Sequence, residues 1–291
     1  MRRKCLFLLM AAALVMGFAA CSDKDDEGME NNDPGAINKR NFPDAKFREW
    51  LLCQEYGADS VLTEEEIASI TEIDVNDLGI QSLKGIEYFT ALKYLMCRDN
   101  KLKTLDLSQN TKLNRLFCFN NQLTSLDISQ NTALEMLDCG NNQLTRLDLS
   151  GCTVLKSLRC FDNQLMTLDL SHNTEITEVY CINNQLTTLD LSHNTWLGYL
   201  SCFGNQLTTL DVSQNKRLIH LYCYCNRIKG TGMDELVESL PTVSKSNFRV
   251  IYNENEKNVM TTQQVAAAKA KGWNPYYFDG KDWKEYVGSN K

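Results

Sequence analysis

Histidine is scarce in this 291-residue chain, with only His172, His193 and His220. No pairing of nucleophile with base recurs along it, and no carboxylate pair stands at a spacing that suits catalysis. The chain therefore reads as a non-enzyme that needs no cofactor. Positive charge is also short: 30 Lys and Arg against 37 Asp and Glu leave a formal charge of −7. A surface of that sign repels phosphate backbones and anionic lipid, which excludes nucleic acid as an expected partner. Long apolar runs are missing after residue 20, so nothing downstream is expected to span a bilayer.

The one long apolar run is at the start. Arg2, Arg3 and Lys4 precede an apolar stretch of 16 residues from Cys5 to Ala20, which has the form of a secretory signal. Its end, Gly17-Phe18-Ala19-Ala20-Cys21, resembles the lipobox of bacterial lipoproteins, in which the cysteine is acylated and becomes the new N-terminus. The resemblance makes Cys21 the lipidation site and residues 1–20 the signal peptide. Ordinary cleavage after Ala20 is the alternative. Acylation would make the lipid anchor the only membrane attachment. Losing Arg2, Arg3 and Lys4 with the signal takes the formal charge from −7 to −10.

Residues 21–40 carry almost no large apolar side chains and are expected to form a flexible tether. The cluster Lys24-Asp25-Asp26-Glu27 resembles the surface-export signal of lipoproteins from anaerobic Gram-negative gut bacteria; a solvated tether explains it equally. The resemblance implies an outer-membrane lipoprotein exposed at the cell surface.

Self-similarity dominates the chain from residue 70 to residue 228. Cysteines at 97, 118, 139, 160, 181, 202 and 223 stand 21 residues apart, and asparagines at 100, 121, 142, 163, 184, 205 and 226 keep the same step. Leucines from 105 to 210 and aspartates at 106, 127, 148, 169, 190 and 211 do so too. With Leu113 as position 1 of a unit, Leu116 is position 4, Cys118 position 6, Asn121 position 9, Leu123 position 11 and Leu126 position 14.

The pattern L-x-x-L-x-C-x-x-N-x-L resembles the leucine-rich-repeat consensus and, within it, the internalins. It implies an α/β solenoid of about eight units over residues 70–228, with a parallel sheet on the concave face. Ile70, Ile73, Val75, Ile80 and Leu83 form a divergent first unit of 22 residues. Residues 41–69 are expected to form a helical N-terminal cap, and residues 229–291 an α+β C-terminal cap.

Positions 4 and 6 are two apart, so they share one strand face. Stacking the units makes the leucines and cysteines inward ladders. Neighbouring Cβ atoms on in-register strands stand ~4.8 Å apart, too far for a disulfide. The seven cysteines are therefore read as buried, apolar thiols, while Cys53, Cys152 and Cys225 fall outside the series. The asparagine is expected to satisfy backbone groups where the chain leaves the strand.

Two other motifs have plainer readings beside them. Residues 55–66 resemble a decayed EF-hand loop, with Asp59, Leu62 and Glu66 at loop positions. Gly57 and Ser60 break that pattern, and Thr63 with Glu66 also forms a capping box. His172 and His193 share one repeat position and read as polar turn residues rather than a metal pair. His220 is expected to face solvent. The aspartates are expected to be solvated or bonded to neighbouring hydroxyls such as those of Ser129 and Thr132.

Positions 3, 5 and 7 point away from the core, onto the concave face. There the sequence places Tyr94, Phe117, Phe119, Phe161, Tyr180, Tyr199, Phe203, Tyr222 and Tyr224, an aromatic stripe where polar residues are the norm. Contiguous exposed aromatic surface marks contact sites. The resemblance to internalins implies that a monomer binds a protein partner through this face. A glycan stacked on the rings is the second reading.

Overall fold

The computed structural model describes residues 35–253 and 256–289. The signal, Cys21 and residues 21–34 of the tether lie outside the described residues. Eight short parallel strands stack in chain order: Glu72–Asp74 (β1), Tyr94–Met96 (β2), Arg115–Phe117 (β3), Met136–Asp138 (β4), Ser157–Arg159 (β5), Glu178–Tyr180 (β6), Tyr199–Ser201 (β7) and His220–Tyr222 (β8). Each repeat places its strand in register with the last, so Leu95, Leu116, Leu137, Leu158, Val179, Leu200 and Leu221 form one column. All seven are fully buried, as are all seven cysteines of the 21-residue series. The chain is thus a parallel-sheet solenoid whose core is the set of inward ladders.

Three further columns hold the turns in place. Asn121 Nδ2 donates to the carbonyls of Cys97 and Cys118, while its Oδ1 accepts the Leu102 N–H at 3.0 Å. Each asparagine of that column repeats these bonds, so the amide ties its own turn to the preceding rung. One residue earlier, Asp99, Asn120, Asn141, Asp162, Asn183, Gly204 and Cys225 all take positive φ, between 48° and 71°. Asn, Asp and Gly tolerate that left-handed backbone best, and Cys225 is the exception.

The other column was not read from the sequence. Asn110, Asn131, Asn173, Asn194 and Asn215 are completely buried on the outer turn. Asn131 Nδ2, for example, donates to Leu107 and Asn110 carbonyls at 3.1 and 2.9 Å. Cys152 occupies this column between Asn131 and Asn173, with its thiol 3.8 Å from the Ile128 and Asn131 carbonyls. It is therefore a substituted rung of a second ladder.

At the N-terminal end, Ala45–Leu52 (α1) buries Phe47 and Leu51, with Phe47 edge-on to Phe42 and Phe42 in turn against Phe89. Asp44 caps this helix through Oδ1 and accepts the Gln81 and Ser82 N–H groups through Oδ2, tying the cap to the first repeat. Glu64–Ser69 (α2) starts with the capping box of Thr63 and Glu66. Residues 35–40 depart from the tether expectation. Ala36 and Ile37 are buried, the Ile37 N–H donates to Ser60, and the Leu62 N–H donates to Gly35 at 2.7 Å. Averaging composition over the segment hid this single apolar anchor and its two backbone bonds.

The C-terminal end copies the repeat without its spacing. Ser246–Ile251 (β9) pairs in parallel with β8, setting Phe248 beside Leu221. Asn258 does for the last rung what Asn121 does for its own: Nδ2 donates to Cys223 and Val250, and Oδ1 accepts the Ile228 N–H. Thr231–Ser239 (α3) and Thr262–Ala270 (α4) pack together, and Trp273–Phe278 (β10) extends the sheet in parallel. Trp283–Glu285 (β11) then pairs antiparallel with β10 as a hairpin. The result is one 11-stranded sheet in sequence order.

Candidate functional site

The strand face opposite the cysteines carries the nine aromatics expected there, and every one is half-buried. The structure does not gather them into a single stripe. Phe203 and Tyr224 begin a ring stack that runs on into the cap through Tyr252 and Phe278. Successive centroids are 4.2, 5.5 and 5.2 Å apart, with rings within 17° of parallel. Trp283 flanks the stack 5.1 Å from Tyr224. Neighbouring rings in the stack cover one another's facing sides.

A second group lies beside the first. Tyr199 stacks on Tyr180 at 4.7 Å and meets Tyr222 edge-on at 5.4 Å. His220, expected to face solvent, instead lies 5.4 Å from the Tyr199 ring, with its Nδ1 buried and unpartnered. The tyrosines next door, which the alternation rule alone does not weigh, draw the imidazole down. Burial raises the Tyr180 and Tyr199 pKa values, so both stay neutral hydroxyls. Phe161 stands apart from both groups, its ring covering Gly140; a Cβ there would lie 2.3 Å from the ring. Phe117, Phe119 and Tyr94 occupy the N-terminal part of the face.

Arginine is the residue that reading the aromatics alone left out. Arg98 lies over Phe119, Arg115 over Tyr94, Arg159 over Tyr180, and Arg249 over both Tyr222 and Trp283, at 4.4–5.6 Å. Every arginine on the strand face from β2 to β9 is thus held by a ring. Two acids share those strands. Asp138 is buried 3.9 Å from Arg159, and desolvation raises its pKa against the opposing pull of the Gly140 N–H and Arg159. Glu178 lies 3.5 Å from the Ser157 hydroxyl.

The remaining candidates serve the fold. Asp106, Asp127, Asp148, Asp169 and Asp190 each accept the backbone N–H of the serine two residues on; that bond together with the serine hydroxyl, which is the larger cause for Asp148, lowers their pKa values. These carboxylates are exposed and also meet the serine hydroxyl, as expected (Ser150 Oγ donates to Asp148 at 2.7 Å), and the backbone N–H adds an Asx turn. His172 and His193 bond to Ser171 and Ser192. In the EF-hand-like segment, Asp59 accepts the Val61 N–H, Glu66 closes the capping box, and Ser60 itself adopts the left-handed turn at φ 67°. Among the described residues, no three His, Cys, Asp or Glu side chains converge as a metal site would require. Burial raises the ladder thiols, Cys97 and Cys181 to about 12.

A stack of in-register turns that shows one face of short strands defines the class: a leucine-rich-repeat solenoid. Residues 111–151 match the family model for Leucine Rich repeats (2 copies). Internalin J of Listeria monocytogenes is 41% identical over 71 residues, which is 24% of this chain and 8% of that protein. A solved internalin (inlF) of the same species aligns with 84% of this chain and 78% of its own, at TM-score 0.62 and 22% identity. A leucine-rich-repeat protein of Leptospira interrogans aligns with 71% of this chain and 54% of its own, at TM-score 0.56 and 24% identity. These structural likenesses are of fold. Residues 111–151 thus carry leucine-rich repeats, and the chain is similar over a short stretch to Internalin J, of whose length it spans less than a tenth.

Proposed function

We propose that this protein is a non-enzymatic, lipid-anchored surface protein that binds another protein through its concave strand face. The observation that carries the reading is the row of ring-held arginines and aromatics across adjacent strands. Interfaces are rich in aromatic residues and arginine, and side chains already held in place lose little freedom on binding. A glycan is supported less well. Sugar stacking needs an open ring face, whereas Phe203, Tyr224, Tyr252 and Phe278 cover each other's faces. Anchoring through Cys21 and outer-membrane display rest on the sequence resemblance.

The test is binding of the purified chain to an array of extracellular proteins and to a glycan array. A protein bound by the native chain and lost on Phe161→Ala plus Phe203→Ala supports the reading. Loss of glycan binding in the same variant, with no protein bound, would replace it with the glycan reading. Metabolic labelling with a fatty acid, lost on Cys21→Ala, tests the anchor.

A further inference from the structure

Five neighbouring strands, β5 to β9, set one column of the concave face in direct register: Arg159, Tyr180, Ser201, Tyr222 and Arg249. The column is symmetric, with arginine at both ends, tyrosine inside each, and Ser201 buried at the centre. Both arginines lean inward, Arg159 to 5.0 Å from the Tyr180 ring and Arg249 to 4.4 Å from the Tyr222 ring. Tyr199 bridges the two tyrosines, and the buried Nδ1 of His220 lies beside them without a partner. Four strand steps of ~4.8 Å put the ends of the column roughly 19 Å apart.

Charge separates this face from the rest of the molecule. From β2 to β9 it carries four arginines, of which Arg98 is paired with Asp99, against Asp138 and Glu178, on a chain whose formal charge is −7. Asp138 is buried beside Arg159, which leaves Glu178 as the carboxylate within the column's span. A guanidinium held against a ring keeps its fork of N–H donors aligned, and such a fork pairs best with a planar carboxylate. The tyrosines between the two forks are a neutral floor with hydroxyl tips.

We propose that this column is a pincer for an acidic protein segment, bound extended along the solenoid axis with two carboxylates roughly four to six residues apart. The inference rests on the concave-face reading and assigns that face a partner chemistry. One carboxylate meets Arg159 and the other Arg249, while apolar residues between them lie on Tyr180, Tyr199 and Tyr222.

The experiment uses the full chain and immobilised synthetic decapeptides that carry two glutamates separated by three to five Leu and Gly residues. Matched peptides carry glutamine or lysine in place of the glutamates. The expected result is at least a tenfold preference for the glutamate peptides over the glutamine ones. Arg159→Gln plus Arg249→Gln should abolish that preference, and Arg146→Gln on the outer side should keep it. Arg159→Glu plus Arg249→Glu should turn the preference toward lysine. Circular dichroism of each variant confirms the fold.

A glutamate preference that survives Arg159→Gln plus Arg249→Gln would overturn the proposal, as would no preference or tighter binding of a heparin fragment. Should peptides bind regardless of charge and be lost on Phe161→Ala plus Phe203→Ala, the pincer falls and the concave-face reading stands. Should an array-bound protein and all peptides ignore every concave substitution, both fall.

Discussion

Asn163→Ala and Asn173→Ala remove the same side chain from two buried columns, yet the hydrogen bonding predicts different costs. Asn163 Oδ1 accepts the buried Leu144 N–H at 2.9 Å, and Nδ2 donates to the Cys139, Cys160 and Phe161 carbonyls. Those carbonyls keep other donors: Asn142 for Cys139, Asn184 for Cys160 and the Asn141 N–H for Phe161. The Leu144 N–H is left with nothing. An orphaned buried donor costs about 1–3 kcal/mol, and the weakened carbonyl bonds bring the total to about 2–4 kcal/mol.

Asn173 donates to Leu149 and Cys152, whose carbonyls keep the Cys152 and Leu155 N–H groups. Its own Oδ1 is buried without a partner, so truncation also removes an unsatisfied acceptor. A cost of about 1 kcal/mol is expected there. Cys152 already stands in that column with only long thiol contacts, an indication that the amide is replaceable at this position. At about 2–4 °C per kcal/mol for a domain of this size, Asn163→Ala should lower the melting temperature by roughly 5–15 °C and Asn173→Ala by a few degrees. Thermal unfolding followed by circular dichroism reads both. Equal losses, or a larger loss for Asn173→Ala, would refute the reasoning.

Among the thiols, Cys160→Ser should cost about 1–3 kcal/mol, because a hydroxyl replaces a fully buried thiol in an apolar column; a wild-type urea midpoint would contradict the placement. Native maleimide labelling read by peptide mass spectrometry should mark Cys53 first and Cys225 more slowly, since burial and Glu256 raise the Cys225 thiol to about 12. The seven ladder thiols should react only after unfolding. Asp138 has a raised pKa in the fold, so wild-type stability falls as pH rises from the ordinary carboxylate range through that raised value. Asp138→Asn should therefore melt higher than wild type at neutral pH and converge with it in acid, below the ordinary carboxylate range; a gap that does not change with pH would be evidence against burial as the cause.

Much of the solenoid was legible because one residue type marks each column at a fixed step. The Cys97–Cys223 and Asn100–Asn226 series gave register, inward face and turn chemistry together. The second asparagine column keeps the same step but is broken by Cys152, and the spacing alone does not say that its side chains are buried and bonded to backbone carbonyls. Asn258 lies 32 positions after Asn226, and no period predicts that it closes the ladder. The same holds for Tyr252, Phe278 and Trp283, which join the concave ring stack only because the cap extends the sheet. Pairing Arg159 with Tyr180 and Arg249 with Tyr222 needed strand register and the lean of each side chain. Position counting supplies the first only within the repeats and the second nowhere.

Photo-crosslinking tests the concave binding face most directly, with benzoylphenylalanine placed at Tyr180 on that face or at Met166, which is 61% exposed outside it. A protein bound on the array should form an adduct through position 180 and none through position 166. Adducts through 166 with none through 180 would move the binding surface off the strands and contradict a concave-face site.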